Sequence, residues 1–187
     1  MLRITKKKLI VASIVVALVP VAFWLAYPLI ERNYQSAMDP IRKAHAHQIS
    51  SVIREYADKT GHLPFQEQAV DKPFMVLLGH STQEEDHFAN DPVLKRDATW
   101  TNSTDLETLL SKELKRPIKL PRDPQTVPTY APNVYVYFVA GNQLTIVTHL
   151  KFPTDDAVKY EWRGQPFYAY TICYDFEPKQ ASQAANK

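Results

Sequence analysis

Residues 9–30 read LIVASIVVALVPVAFWLAYPLI, 22 consecutive positions without a charged side chain, directly behind Lys6-Lys7-Lys8. As a helix rising ~1.5 Å per residue they cover about 33 Å, enough to cross a hydrocarbon core of about 30 Å. Hydrocarbon offers the backbone no hydrogen-bond partners, so a segment crossing it must be helical. A cleaved signal peptide has a shorter apolar region and a small-x-small cleavage site. Here the run from Leu9 to Ile30 closes on Trp24-Leu25-Ala26-Tyr27-Pro28, with no such site. The segment therefore predicts an uncleaved, single-span signal-anchor. The basic cluster keeps residues 1–8 in the cytoplasm, Trp24 and Tyr27 mark the far interface, and residues 31–187 are exported. In a bacterium that places the rest of the chain in the periplasm, rooted in the inner membrane. Pro20 and Pro28 would kink the span, which neighbouring groups in a membrane accommodate.

With the anchor set aside, 157 residues remain, enough for one domain with its own core, at residues 31–178, and a flexible tail at 179–187. Four of the 22 basic residues lie in the first 30 positions, leaving 18 against 20 acidic ones. The basicity of the chain is thus a topology signal and gives no case for nucleic-acid binding. A single cysteine, Cys173, excludes an internal disulfide, and its apolar neighbours predict a buried, inert thiol.

Outward from the anchor, Asp39-Pro40 has the form of a helix start, with Asp39 as N-cap. Met38, Ile41, His45, Ile49, Val52, Ile53 and Tyr56 then recur at three- and four-residue spacings, an amphipathic stripe. Gly61 is the stop, and Pro64 forbids continuation. Phe74-Met75-Val76-Leu77-Leu78 fits a short helix or a strand equally, and Glu84-Glu85-Asp86 reads as a solvated loop within a stretch, residues 66–100, that is hard to assign. Thr104 and Glu107 have capping-box spacing ahead of Leu106, Leu109, Leu110 and Leu114. The last third reads as antiparallel sheet: residues 133–140 and 143–150 around Gly141-Asn142, then 157–162 and 167–174 around Arg163-Gly164. The predicted fold is α+β, with an N-terminal transmembrane helix followed by an amphipathic helix packed on an antiparallel β-meander.

This order of parts resembles the type IV pilin superfamily, in particular the pseudopilins of type II secretion. The segment from Ile53 to Pro64, closing on Gly61 and Pro64, is similar to the turn that ends a pseudopilin's long helix. Leu120-Pro121-Arg122-Asp123-Pro124 resembles the Pro-x-Asp-Pro element before the first strand, and Tyr135-Val136-Tyr137 the Tyr-x-Tyr habit of that strand. Residues 145–155 resemble the second strand and the loop after it, with Leu150-Lys151 where relatives often show Leu-Glu. The chain departs from the family at the prepilin-peptidase site: Lys8-Leu9 stands at the boundary, no Gly precedes Gly61, and the apolar run contains no Glu. The resemblance therefore implies a pilin-like domain held permanently in the membrane, an accessory subunit working by protein–protein contact rather than a standard filament subunit.

Chemistry-bearing residues form no legible catalytic set. His45 and His47 point about 200° apart on a helix, and His62, His80, His87 and His149 have no ligand spacing. Ser81 lacks a nucleophile-elbow context, and Asn102-Ser103-Thr104 is a sequon without a suggested host. Calcium is the one cofactor to weigh. Its candidate ligands are Glu84, Glu85, Asp86 and Asp91, or Asp155 and Asp156 in the loop where pseudopilins commonly bind it. Tyr135, Tyr137, Trp162, Tyr168, Tyr170 and Tyr174 divide between a core face and a contact face. They support a second class of function, a membrane-anchored periplasmic ligand-binding or sensor-accessory domain, and an enzyme is not expected.

Overall fold

The computed structural model describes residues 6–90, 98–124, 134–152, 154–162 and 165–177, without the side chains of 6–19, 21–23, 35, 162 and 165. Helix α1 is Lys6–Thr60, and the chain forms two compact units, Met1–Ala37 and Met38–Lys187. In the first unit the described residues Trp24, Leu25, Tyr27, Leu29 and Ile30 are exposed, Trp24 at 76%. Among the described residues no helix is long and apolar enough to cross a membrane. Most of residues 9–23, with the cluster Lys6, Lys7, Lys8 and Leu9, lie outside the described side chains.

The second unit is an α+β layer structure. Its sheet has six strands: β1 Phe74–Leu78, β2 Thr99–Asn102, β3 Tyr135–Ala140, β4 Gln143–Leu150, β5 Val158–Trp162 and β6 Gln165–Asp175. Their order is β2-β1-β3-β4-β6-β5, with β1 and β2 parallel and every other pair antiparallel. This corrects the antiparallel meander in two ways. The ambiguous run Phe74–Leu78 is a strand buried along its whole length, because it is flanked by β2 and β3 and covered on both faces. Strand β6, 11 residues long, takes the place beside β4 along all of β4's length, which displaces β5 to the edge. There Lys159 and Glu161 are exposed, charges that suit a strand with one open side.

The β3–β4 hairpin turns at Gly141-Asn142 as predicted. Gly141 is at φ +56 and Asn142 is not at positive φ, the pattern of a type II′ turn with glycine first. Alternation along β4 then buries Leu144, Ile146, Thr148 and Leu150 on one face.

Against that face lies α1. Ala46, Ile49, Ile53, Tyr56 and Ala57 join Val76, Leu78, Tyr135, Tyr137, Val139, Leu144, Ile146 and Ile172 in one core. Helix α3, Ser103–Leu114, adds Leu106 and Leu110. The stripe is shifted from the predicted one at its N-terminal end. Ile41 is exposed and Arg42 is fully buried, because Arg42 has carboxylate partners there. Nor does a helix begin at Asp39-Pro40. Pro40 lies inside continuous α1, its fixed φ being helix-compatible, and Asp39 turns inward instead of capping. At the other end Gly61 (φ +82) donates its N–H to the Ala57 carbonyl at 2.9 Å, the expected left-handed stop.

Two further corrections concern helix starts. Glu84, Glu85 and Asp86 belong to helix α2, Thr82–Ala89, whose N-cap Ser81 accepts from the Glu84 N–H. Glu85 is buried because its carboxylate accepts from the N–H groups of Gly79 and Ser103, tying α2 to the start of α3. The Thr104–Glu107 capping box does not form. Asn102 caps α3 by accepting from Asp105 N–H, and Glu107 instead accepts from Leu120 N–H while pairing with Arg122.

Candidate functional site

The residues of the family-like motifs meet along the α1 side of the sheet, where they seat the helix. Arg42 is the centre. Its Nε and Nη2 donate to the two Asp123 oxygens at 2.8 and 3.1 Å, and its Nη1 donates to Asp39 at 2.8 Å. Asp39 also accepts from the N–H groups of Lys151 and Phe152 just past β4, at 3.1 and 2.9 Å. One helical turn thereby holds both the end of β4 and the segment Pro121–Pro124. Burial works against the charge on Arg42, yet its bonds and charge pairing with Asp123 and then Asp39 outweigh it and raise its pKa. Desolvated charges are tolerable only with such complete pairing.

The tyrosine pair serves the same contact. Tyr135 and Tyr137 are fully buried, and burial raises both phenols, so each stays protonated. Tyr137 donates to the Pro64 carbonyl at 2.6 Å, which fixes the chain just after Gly61. The Tyr135 hydroxyl meets His45 Nδ1 at 2.9 Å, and Tyr170 on β6 meets His47 Nε2 at 2.8 Å. Each histidine thus meets its own tyrosine.

The calcium candidates are not assembled. Asp156 accepts from Lys43 Nζ at 2.7 Å, so an ammonium group occupies the place a cation would take, and the lysine bond lowers the Asp156 pKa. Asp155 is exposed, Glu84 and Glu85 are engaged with backbone N–H groups, and Asp91 lies outside the described residues. Among the described residues no three His, Cys, Asp or Glu side chains are grouped to hold a metal. Cys173 is exposed rather than buried. It stands opposite Thr145 on the face away from α1, since alternation along β6 turns its neighbour Ile172 to the core.

That second face carries the feature the sequence reading missed. Met75 lies beside Phe138, and Leu77 beside Val136, in register across β1 and β3. With Phe88 of α2 and Phe167 of β6 they line a cavity of about 300 Å³. The Tyr160 ring stacks on Phe167 at 5.4 Å and closes one side. His149 also lines it, and among the described residues its buried Nδ1 has no hydrogen-bond partner. Burial, and then the positive charge of Arg42, lowers its pKa to about 4, so the ring is neutral near pH 7. The signal was in the pattern: apolar residues occupy both faces of β1 and β3, whereas a sheet covered on one face alternates apolar with polar.

No protein-family model, curated protein or solved structure matches the chain.

Proposed function

We propose that this chain is a bitopic inner-membrane protein of the bacterial envelope. Residues 1–8 lie in the cytoplasm, residues 9–30 anchor it, and the α+β domain works in the periplasm through contacts with other envelope proteins. The observation that carries the reading is the uncharged 22-residue run behind three consecutive lysines. The exposure of Trp24, Leu25, Tyr27, Leu29 and Ile30 on the described end of that run supports it, since apolar side chains without a protein cover suit lipid. The role in a secretion- or pilus-type assembly rests on the pseudopilin resemblance and on a helix seated on a sheet by Gly61, Pro64, Asp123, Tyr135 and Tyr137. Because Asp39, Arg42 and Asp123 are consumed in that seating, contact rather than catalysis is the function they support.

Two experiments on the intact protein in its membranes test the reading. Alkaline extraction should leave the protein in the pellet, and release into the supernatant would refute the anchor. A photocrosslinker at exposed Ile41 or Val70 should give discrete adducts with envelope proteins. Only unadducted monomer at both positions would refute the contact role.

A further inference from the structure

We propose that the cavity on the sheet face away from α1 binds one small, uncharged, largely apolar molecule whose single hydroxyl group meets His149. The wall is built from Met75, Leu77, Val136, Phe138 and Phe167, and among the described residues lining the cavity none carries a full charge. An anion or cation bound there would lose its hydration without a counter-charge, which excludes charged ligands. Water is a poor occupant too. A buried water needs two to four polar partners, and the described wall offers few: the Tyr160 hydroxyl is already 3.3 Å from Thr171 Oγ1.

The volume of about 300 Å³ lies at the small end of ligand pockets. At ~30 Å³ per water-sized group it takes about ten non-hydrogen atoms. The stacked Tyr160 and Phe167 rings, with Phe88 and Phe138, favour a flat aromatic body. His149 sets the polar end. Its ring lines the cavity, and a hydroxyl serves either tautomer because it both donates and accepts. A phenol with a short alkyl chain meets every one of these requirements. The inference is independent of membrane placement, since the cavity lies wholly within the second unit.

The test uses the full-length protein in lipid nanodiscs, with its six histidines labelled with ¹⁵N in the ring and His149 assigned through His149→Phe. The probes are 4-propylphenol, propylbenzene and 4-propylbenzoate, compared at equal free concentration near pH 7.5. The His149 ring signals should shift saturably with 4-propylphenol, with an affinity about tenfold above that of propylbenzene for one buried hydrogen bond. They should not respond to 4-propylbenzoate. His149→Phe should bind the phenol and propylbenzene equally, read from the signals of a labelled Met75 methyl group. No saturable shift in the wild type would overturn the proposal, and so would equal binding of the benzoate. Those comparisons are also read in the unmodified chain from the labelled Met75 methyl group, so they decide the matter even if His149→Phe fails to fold.

Discussion

Replacing Arg42 by methionine keeps most of the side chain's length and apolar stem while removing the charge that holds two buried carboxylates. The Arg42 side chain is 1% exposed, and those of Asp39 and Asp123 are 6% and 1%. Three charge-assisted hydrogen bonds disappear together. Asp39 keeps its backbone donors from Lys151 and Phe152, so its loss is partial, whereas Asp123 loses its bidentate partner. Breaking a buried pair by removing one member costs about 3–5 kcal/mol, mostly the penalty of the charge left behind. For a domain of this size each kcal/mol lowers the melting midpoint by about 2–4 °C, so a drop of roughly 6–20 °C is expected. The assay is urea and thermal unfolding of the full-length protein in mild detergent, followed by near-ultraviolet circular dichroism. Adding Asp123→Leu to Arg42→Met also removes the carboxylate that has lost its guanidinium partner and should recover at least half of the loss. If Arg42→Met costs less than about 1 kcal/mol, the ion cluster does not seat the helix and the reasoning fails.

Three further outcomes follow from the same geometry. Tyr137→Phe strands the Pro64 carbonyl and should cost about 1–3 kcal/mol in the same unfolding assay. Gly61→Ala meets no atom within 4 Å, so its cost is purely conformational, about 1–2 kcal/mol for a side chain at φ +82. His149 has a folded pKa of about 4 against an ordinary 6.5, so the unfolded chain binds the extra proton between those values. Its contribution is complete above pH 6.5 and is lost as pH falls toward 4, up to roughly 3 kcal/mol. Unfolding midpoints at pH 7.5 and 4.5 should therefore converge in His149→Phe relative to wild type, and an unchanged pH slope would contradict the assignment.

The parts legible in the sequence are those where one local rule decides. Gly61 followed by Pro64 ends α1, Gly141-Asn142 turns the hairpin, and the alternation from Leu144 to Leu150 sets the buried face of β4. What was not legible depends on partners distant in the chain. Phe74–Leu78 is apolar at every position, which fits a helix or a doubly covered strand until β2 and β3 are placed beside it. Ser81 and Glu84 have the same serine-x-x-glutamate spacing as a capping box, yet the acidic run behind them suggested a solvated loop. Glu85 looks like a surface charge and is buried because two backbone N–H groups, those of Gly79 and Ser103, converge on it. Asp39 before Pro40 looks like a cap, but Arg42 and the backbone after β4 offer its carboxylate better partners. The cavity escaped for a related reason: Met75, Leu77, Val136 and Phe138 read as ordinary strand residues until register sets them side by side.

The exposed thiol of Cys173 gives the most direct test of the claim that the folded domain lies outside the cytoplasm. It is the chain's only cysteine, so no substitution is required and Cys173→Ser supplies the control. Intact spheroplasts are treated with a membrane-impermeant polyethylene-glycol maleimide, and the protein is then scored for a gel shift. Labelling without lysis, equal in extent to that after lysis, is the predicted result. A shift that appears only once the membrane is broken would place the domain inside and contradict the account.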